Sequence, residues 1–456
     1  MNRELEAQMD AYLDRHEAMI VAELVQLCAQ PSVSATGEGI AAAAEGVAAA
    51  LGRRGFKVEV VPTRGHPVVF AERAGRTQRT LLFYDHYDVQ PPEPLEEWIT
   101  PPFAPSLRQG KLFARGASDN KGHIASRLAA LDALLEASPE LPCRVKFVIE
   151  GEEEISSPNL PAFVEANASR LAADGCIWEF GGVDEEGVPL QTLGMRGICY
   201  VELRARSAAH DAHSGLGGSI FPNAAWRLTW ALASLKGPDE HIRIPGFYDA
   251  VVPPSEEDLE FLRALPDPAP HYLAHYGLRG FIKGLQGGLQ LRRETVFSPT
   301  CTICGLTSGY QGKGSKTVLP AQARAKVDFR LVPNQEPQDI LEKLRAHLVA
   351  QGFEDIEVAL LGSEPPARTD PHHPLVGLVV EAARDVYGKP QRIVPMTGGS
   401  GPNDLFIGRL GMPVVTLGVG YPGGQVHAPN EHVVVANLLQ GAKHTARVIS
   451  RFAEGA

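Results

Sequence analysis

A chain of 456 residues, 44% hydrophobic and 21% charged, exceeds the roughly 250–300 residues at which a single core stops growing, so two domains are expected. Its net charge of -11 argues against a nucleic-acid partner and leaves no basic face for an anionic membrane. The charged start MNRELEAQMDAYLDRHEAMI lacks a signal core, no apolar run nears the ~20 residues of a membrane span, and six cysteines are too few for a disulfide framework. A cytoplasmic location is the expectation.

Through residues 10–30, Leu13, Ile20, Leu24 and Leu27 fall on helical spacing until Pro31 stops the helix. An Ala-rich helix over 39–51 follows, then strands FKVEVV, HPVVFAER and TLLFYDHYDV, a helix over 121–135, and the strand CRVKFVIE. Strands alternating with helices predict a mostly parallel sheet with helices on both faces. From Met195 the order becomes strand GICYVELRARS, helix NAAWRLTWALASL, strands PTCTICGLTSG and AQARAKVDFRLVP, helix PQDILEKLRAHLVAQG and strand IEVALL. That β-α-β-β-α-β order is the ferredoxin-like α+β unit, here interrupted by a Pro-rich insertion over 237–298. After about residue 366 the first pattern resumes with helix PLVGLVVEAARDVYG, strand RIVPM, helix DLFIGRL, strand PVVTLGV and a closing helix. The fold class is therefore α/β, with residues 1–194 and 366–456 forming one domain and 195–365 a smaller one inserted in it.

Five places put acidic or imidazole groups at strand ends. In TLLFYDHYDV a buried-strand run ends in Asp85, His86 and Asp88, and open α/β sheets hold ligands at the carboxyl ends of their strands. Asp119 sits between turn residues and a helix, where a carboxylate is most often an N-cap. FVIEGEEEISSPNL crowds Glu150, Glu152, Glu153 and Glu154 past another buried strand; such carboxylates repel one another unless a cation neutralises them. Glu179 ends a short apolar run, and His427 lies in a Gly/Pro-rich loop after PVVTLGV. Each alone has a bland meaning: a polar turn, a cap, a solvated acidic run. Together they supply a donor set of imidazole nitrogen and carboxylate oxygen, which suits borderline cations such as zinc. Two such ions about 3.5–4 Å apart share a carboxylate and polarise one water, and a spare glutamate beside them can move its proton.

HYDVQP (86–91), ARGASDNKG (114–122), GEEEISSPNL (151–160), AHSGLGG (212–218), ARAKVDFRLVPNQ (323–335) and HAPNE (427–431) resemble the dinuclear-zinc peptidase family. That family includes carnosinases, cytosolic nonspecific dipeptidase, aminoacylase, carboxypeptidase G and succinyl-diaminopimelate desuccinylase; HYDVQP and the GEEE turn look closest to its dipeptidase branch. The resemblance implies that His86 and His427 are terminal ligands of two divalent ions, zinc first and manganese or cobalt as substitutes. It implies Asp119 as the bridging carboxylate, Asp88 as the residue orienting His86, Glu153 as general base, and Glu154 and Glu179 as further ligands. It also implies that His213 reaches across a homodimer, formed through the inserted domain, to stabilise the oxyanion. That domain would also close over the substrate, whose carboxylate Arg330 and Ser400 grip. Asp85 stands where a Gly often precedes the histidine, and Ser156 where a Gly usually follows the paired glutamates.

The expected activity is hydrolysis of dipeptides or similar small peptides. N-acyl or N-carbamoyl amino acids are the rival substrates, and a catalytically silent dimeric binding protein is the rival class. Four other signals are assigned no chemistry: Cys301 and Cys304 as buried thiols, His271 and His275 as surface histidines, His372-His373 as a junction loop, and QGKGSK (311–316) as a loop without Walker spacing.

Overall fold

The computed structural model describes residues 3–455. The chain divides into two compact units, one of Met1–Leu193, Thr369–Val394 and Leu405–Ala456, the other of Gly194–Arg368 with Pro395–Asp404.

The first unit is built on a six-stranded sheet in the order Lys57–Val61, Val68–Arg73, Arg144–Glu150, Thr80–His86, Gly175–Trp178, Val414–Thr416. The last four are mutually parallel; Val68–Arg73 runs antiparallel to both its neighbours. Thr80–His86 is buried along its whole length, as expected of a continuous apolar run covered on both faces. On one face Phe83 stacks on Phe147 at 4.9 Å, within a core that includes Ile124, Leu128 and Leu131 of the helix Lys121–Ala137. On the other Tyr84 stacks on Trp178 at 4.3 Å and meets Phe406 at 5.0 Å. The register sets His86 opposite Glu150 and Phe83 opposite Ile177. Three neighbouring strands therefore end at nearly one level, and the polar residues that follow them emerge together.

Two local expectations are corrected here. The helix over 10–30 is two helices, Arg3–Arg15 and Glu17–Ala29, parted at His16, whose φ of -107° and ψ of 15° leave the helical region. The strand in RIVPM, Arg392–Val394, does not extend the central sheet; it pairs with Pro189–Thr192 in a separate three-stranded sheet.

In the second unit an antiparallel sheet runs Thr302–Ser308, Gln322–Leu331, Gly197–Arg206, Glu357–Glu364. The helices Ala224–Leu235 and Pro337–Ala350 pack on one of its faces through Leu228, Leu235, Leu344 and Leu348. Alternating exposure along Gln322–Leu331 leaves Ala323, Ala325, Val327, Phe329 and Leu331 for that core. This is the ferredoxin-like strand order. The 237–298 insertion carries helices Glu256–Arg263, Ala269–His275 and Gly288–Phe297. The division departs from the expected boundaries at Pro395–Asp404, which groups with this unit rather than with the outer one. Its backbone is bonded there: Thr397 N–H donates to Gly194 (3.0 Å), Arg196 N–H to Gly399 (3.0 Å), and the Ser400 hydroxyl to the Gly197 carbonyl (3.1 Å).

Candidate metal centre

His86 is the last residue of its strand, fully buried, and its ring is fixed at both nitrogens. Nδ1 lies 3.1 Å from the Asp88 carbonyl oxygen and 3.4 Å from Asp88 Oδ1; Nε2 lies 3.0 Å from Asp119 Oδ1. A ring that donates from Nδ1 presents the Nε2 lone pair as a ligand. Asp88 does more than orient that ring. Its two oxygens also accept from the backbone N–H groups of Glu153 (3.2 Å) and Glu154 (3.0 Å), so one buried carboxylate sets both the histidine and the glutamate turn.

The crowded glutamates separate into distinct tasks. Glu150 accepts from Tyr84 Oη (2.5 Å) and Ser157 Oγ (2.8 Å); Glu152 accepts from His66 N–H (3.0 Å) and the Asn159 amide (2.8 Å). Both are structural anchors. Glu154 accepts from Gln90 Nε2 (2.9 Å) and lies 3.0 Å from His427 Nε2. The Glu153 carboxyl is pushed up to about 8 by burial, with Asp119, Glu154 and Asp88 adding to the shift against the opposing pull of His86. Ser156 takes φ +71°, so the turn holds a left-handed non-glycine residue at a cost of about 1–2 kcal/mol.

Asp119 joins the two halves of the site. Its Oδ1 faces His86 and its Oδ2 lies 3.1 Å from His427 Nε2. It is not an N-cap, because the helix Lys121–Ala137 starts after Asn120 without any side-chain cap. Two ligand groups result: His86, Asp119 and Glu179, and Asp119, Glu154 and His427, the ligand atoms of each lying within 4.8 Å of one another. Glu179 follows Gly175–Trp178 directly, and Asn120 Nδ2 donates to its backbone carbonyl (2.6 Å) and carboxylate (3.3 Å).

Three expected site residues lie in the second unit. His213 ends the short strand Ala212–His213, is exposed, and its Nδ1 accepts from Gly215 N–H at 3.0 Å. Arg330 Nη1 donates to Ser400 Oγ at 2.7 Å, uniting residues 70 positions apart, while its Nε lies 3.4 Å from Asp328. Sequence reasoning missed Gln90, Asn120 and the partner of Asp85. That partner is Arg127, buried on the helix Lys121–Ala137, which pairs with Asp85 and donates to the carbonyls of Tyr84 (3.1 Å) and Trp178. An arginine inside an apolar helix stretch was the available signal.

The model of peptidase family M20/M25/M40 matches residues 82–451. The chain belongs to that family. Among curated relatives of this M20 peptidase, human Beta-Ala-His dipeptidase is 31% identical over 62% of the chain, and the chain spans 56% of that enzyme's length. Cys-Gly metallodipeptidase dug1 of Schizosaccharomyces pombe is 27% identical over 80% of the chain and 78% of its own length. Among solved structures, an M20 family metallo-carboxypeptidase from Sulfolobus solfataricus superposes with a TM-score of 0.91 at 36% identity, covering 95% of this chain and 99% of that one. Human carnosine dipeptidase 1 superposes at 0.80 with 26% identity, covering 98% and 100%.

The donor set of the M20 chain fits two divalent cations. Three carboxyls (Asp119, Glu154, Glu179) and two imidazoles offer ligand atoms, with Asp88 and Glu153 beside them. Burial first, then Glu153, holds the Glu179 carboxyl well above the usual range. Hydrogen bonds to Asp119 and Glu154 push His427 up to about 10. Burial alone would lower His86, yet Asp119 and Asp88 hold it well above the ordinary histidine value. Despite its burial, Asp119 is held well below the usual carboxylate range by hydrogen bonds to His427 and His86. Glu153 and Glu179 are pushed up, so the two imidazoles carry the positive charge of a pocket that has more acid than base.

The declined signals are also placed. His271 and His275 are exposed and stack at 5.3 Å, and the 311–316 loop is exposed. His373 caps the helix Pro374–Tyr387. Cys301 is buried but Cys304 is exposed, a correction that follows from the two-residue alternation of a strand, which turns i and i+3 to opposite faces.

Proposed function

We propose that this chain is a two-metal peptidase that cleaves the amide bond of dipeptides. The observation that carries the reading is Asp119, a single carboxylate shared by two complete ligand triads with Glu153 beside them. Two divalent ions, zinc first and manganese or cobalt as substitutes, supply Lewis acidity to a water and to the scissile carbonyl when bound. Glu153 then takes the water's proton and returns it to the leaving amine. Asp88 holds His86 and the Glu153–Glu154 turn in register. Arg330 and Ser400 grip the substrate carboxylate through a charge-assisted contact, and His213 of a second copy stabilises the oxyanion.

A homodimer through the inserted unit is part of this reading. Trp226 and Trp230 are 57% and 55% exposed and stack at 5.8 Å on the helix Ala224–Leu235. Thr302–Ser308 is an edge strand carrying exposed Ile303 and Leu306. Apolar rings on a helix and an unpaired strand edge on one small unit favour self-association. Six free cysteines support a reducing cytoplasm as its location. Among the described residues no helix is long and apolar enough to cross a membrane.

The carboxypeptidase of Sulfolobus solfataricus, at 36% identity, favours a second reading: release of C-terminal residues from longer or N-blocked peptides, using the same carboxylate grip. A panel of free dipeptides, N-acylated dipeptides, N-acyl amino acids and tripeptides, assayed with and without chelator, separates them. Chelator-sensitive cleavage of free dipeptides over the rest supports the dipeptidase. Preference for N-blocked or longer substrates transfers the assignment to the second reading or to the acyl-amino-acid rival.

A further inference from the structure

Glu431 belongs to none of the ligand triads, yet three segments that carry them converge on it. Its side chain is 1% exposed and receives four donors. Oε2 accepts from Arg115 Nη1 and Gly116 N–H, both at 2.9 Å; Oε1 accepts from the Ser118 and Asp119 N–H groups, both at 2.9 Å. The last donor is the backbone of the shared ligand itself. Four residues before Glu431 stands His427, the ligand facing the other oxygen of Asp119.

Arg115 extends the hub. Besides Glu431 it donates to the Pro91 carbonyl at 3.2 Å, just past His86 and Asp88, and its guanidinium lies 5.4 Å from the Trp98 ring. Trp98 Nε1 in turn donates to the Pro92 carbonyl at 2.7 Å, and Asn430 clasps the same loop through Ile99 N–H and the Glu97 carbonyl, both at 2.8 Å. A buried carboxylate is tolerated only when its lone pairs are occupied and its charge is matched; here one arginine and three amides meet both needs.

We infer that Glu431 is a positioning residue for the dinuclear site, fixing the 115–119 loop against the His427 loop so that Asp119 presents both oxygens before any metal arrives. The inference rests on the two-metal reading above and deepens it. Replacing one oxygen by an amide nitrogen in Glu431→Gln turns a donor toward backbone N–H groups and removes the charge opposite Arg115, without changing the side chain's shape. Neighbours that orient ligands typically change metal affinity by about 10–100-fold.

The test is competition of zinc between a chromophoric chelator and the full-length wild type, Glu431→Gln and Arg115→Met. Circular dichroism of the zinc-free proteins checks the fold. Wild type is expected to bind two ions per chain, and folded Glu431→Gln to bind at least one of them tenfold or more weakly, with Arg115→Met between. Wild-type affinities at both sites in a folded Glu431→Gln protein overturn the inference. Hydrogen exchange on zinc-free wild type gives a check that needs no variant. Protection of the Gly116, Ser118 and Asp119 amides before zinc supports the cradle; protection acquired only with zinc overturns it. A wild type that binds no zinc removes the two-metal reading, and this inference with it.

Discussion

The two triads share Asp119 and differ in almost everything else. The first takes His86 from the end of a central strand and Glu179 from the residue after its neighbour, both buried. The second takes Glu154 from a short turn and His427 from a loop residue at φ +62° whose side chain is 52% exposed. A ligand on a packed strand moves only with the core, whereas one on an exposed loop can open locally. The geometry therefore divides a site of two similar ligand sets into one tightly framed half and one exchangeable half. Glu153, on the same turn as Glu154, stands outside both.

The largest effect expected follows from that last point. Glu153→Gln should lower kcat by about 10²–10⁴-fold while metal analysis still finds both ions. Loss of an ion would place Glu153 within a triad and merge what the comparison separates.

Next come the two histidines. His427→Ala should hold about one ion per chain and destabilise the metal-free fold less than His86→Ala, because His427 is half exposed although it too pairs with Asp119 and Glu154. His86→Ala strands Asp88 and Asp119 without their imidazole partner, and breaking a buried pair costs about 3–5 kcal/mol. Melting of the metal-free variants, paired with elemental analysis, reads both effects; equal losses would erase the distinction between halves. In wild type, graded chelation should remove the ions in two separable phases, with the His427-side ion leaving first. A single phase would contradict the two halves.

What could be read from the chain depended on whether a residue's role is local. The strand end that holds His86 and Asp88 was legible because a buried apolar run marks it in place, whereas the local pattern around Asp119 pointed to an N-cap, and only the family resemblance proposed it as a shared ligand. By pattern alone the four glutamates of the 150–154 segment were legible only as a group, and the separate roles of Glu153 and Glu154 came from the family resemblance. Two left-handed residues, Ser156 and Ser157, bend the turn so that Glu152 meets His66 while Glu154 meets His427. The pairing of Asp85 with Arg127 spans 42 positions, and that of Arg392–Val394 with Pro189–Thr192 about 200; local pattern names a strand or a charge but not its distant partner. Pro395–Asp404 shows the same limit at the level of units, lying in sequence beside segments from which its hydrogen bonds separate it.

The smallest effect isolates the halves without touching a ligand. Gln90 serves the exposed triad alone, its Nε2 reaching both the carboxylate (2.9 Å) and the carbonyl (3.0 Å) of Glu154. Asn120 is its counterpart on the buried triad, bonded to Glu179. Gln90→Met keeps the side chain's length but deletes the donors, freeing Glu154 to swing while the first triad keeps its frame. Loss of one hydrogen bond to a charged group is worth about 1.5–3 kcal/mol, so the weaker zinc constant should soften by about 10- to 100-fold, with the stronger one unchanged. Asn120→Ser should do the reverse. If both variants weaken both ions alike, Asp119 couples the halves so tightly that they act as a single site, and the difference in burial would have no thermodynamic consequence.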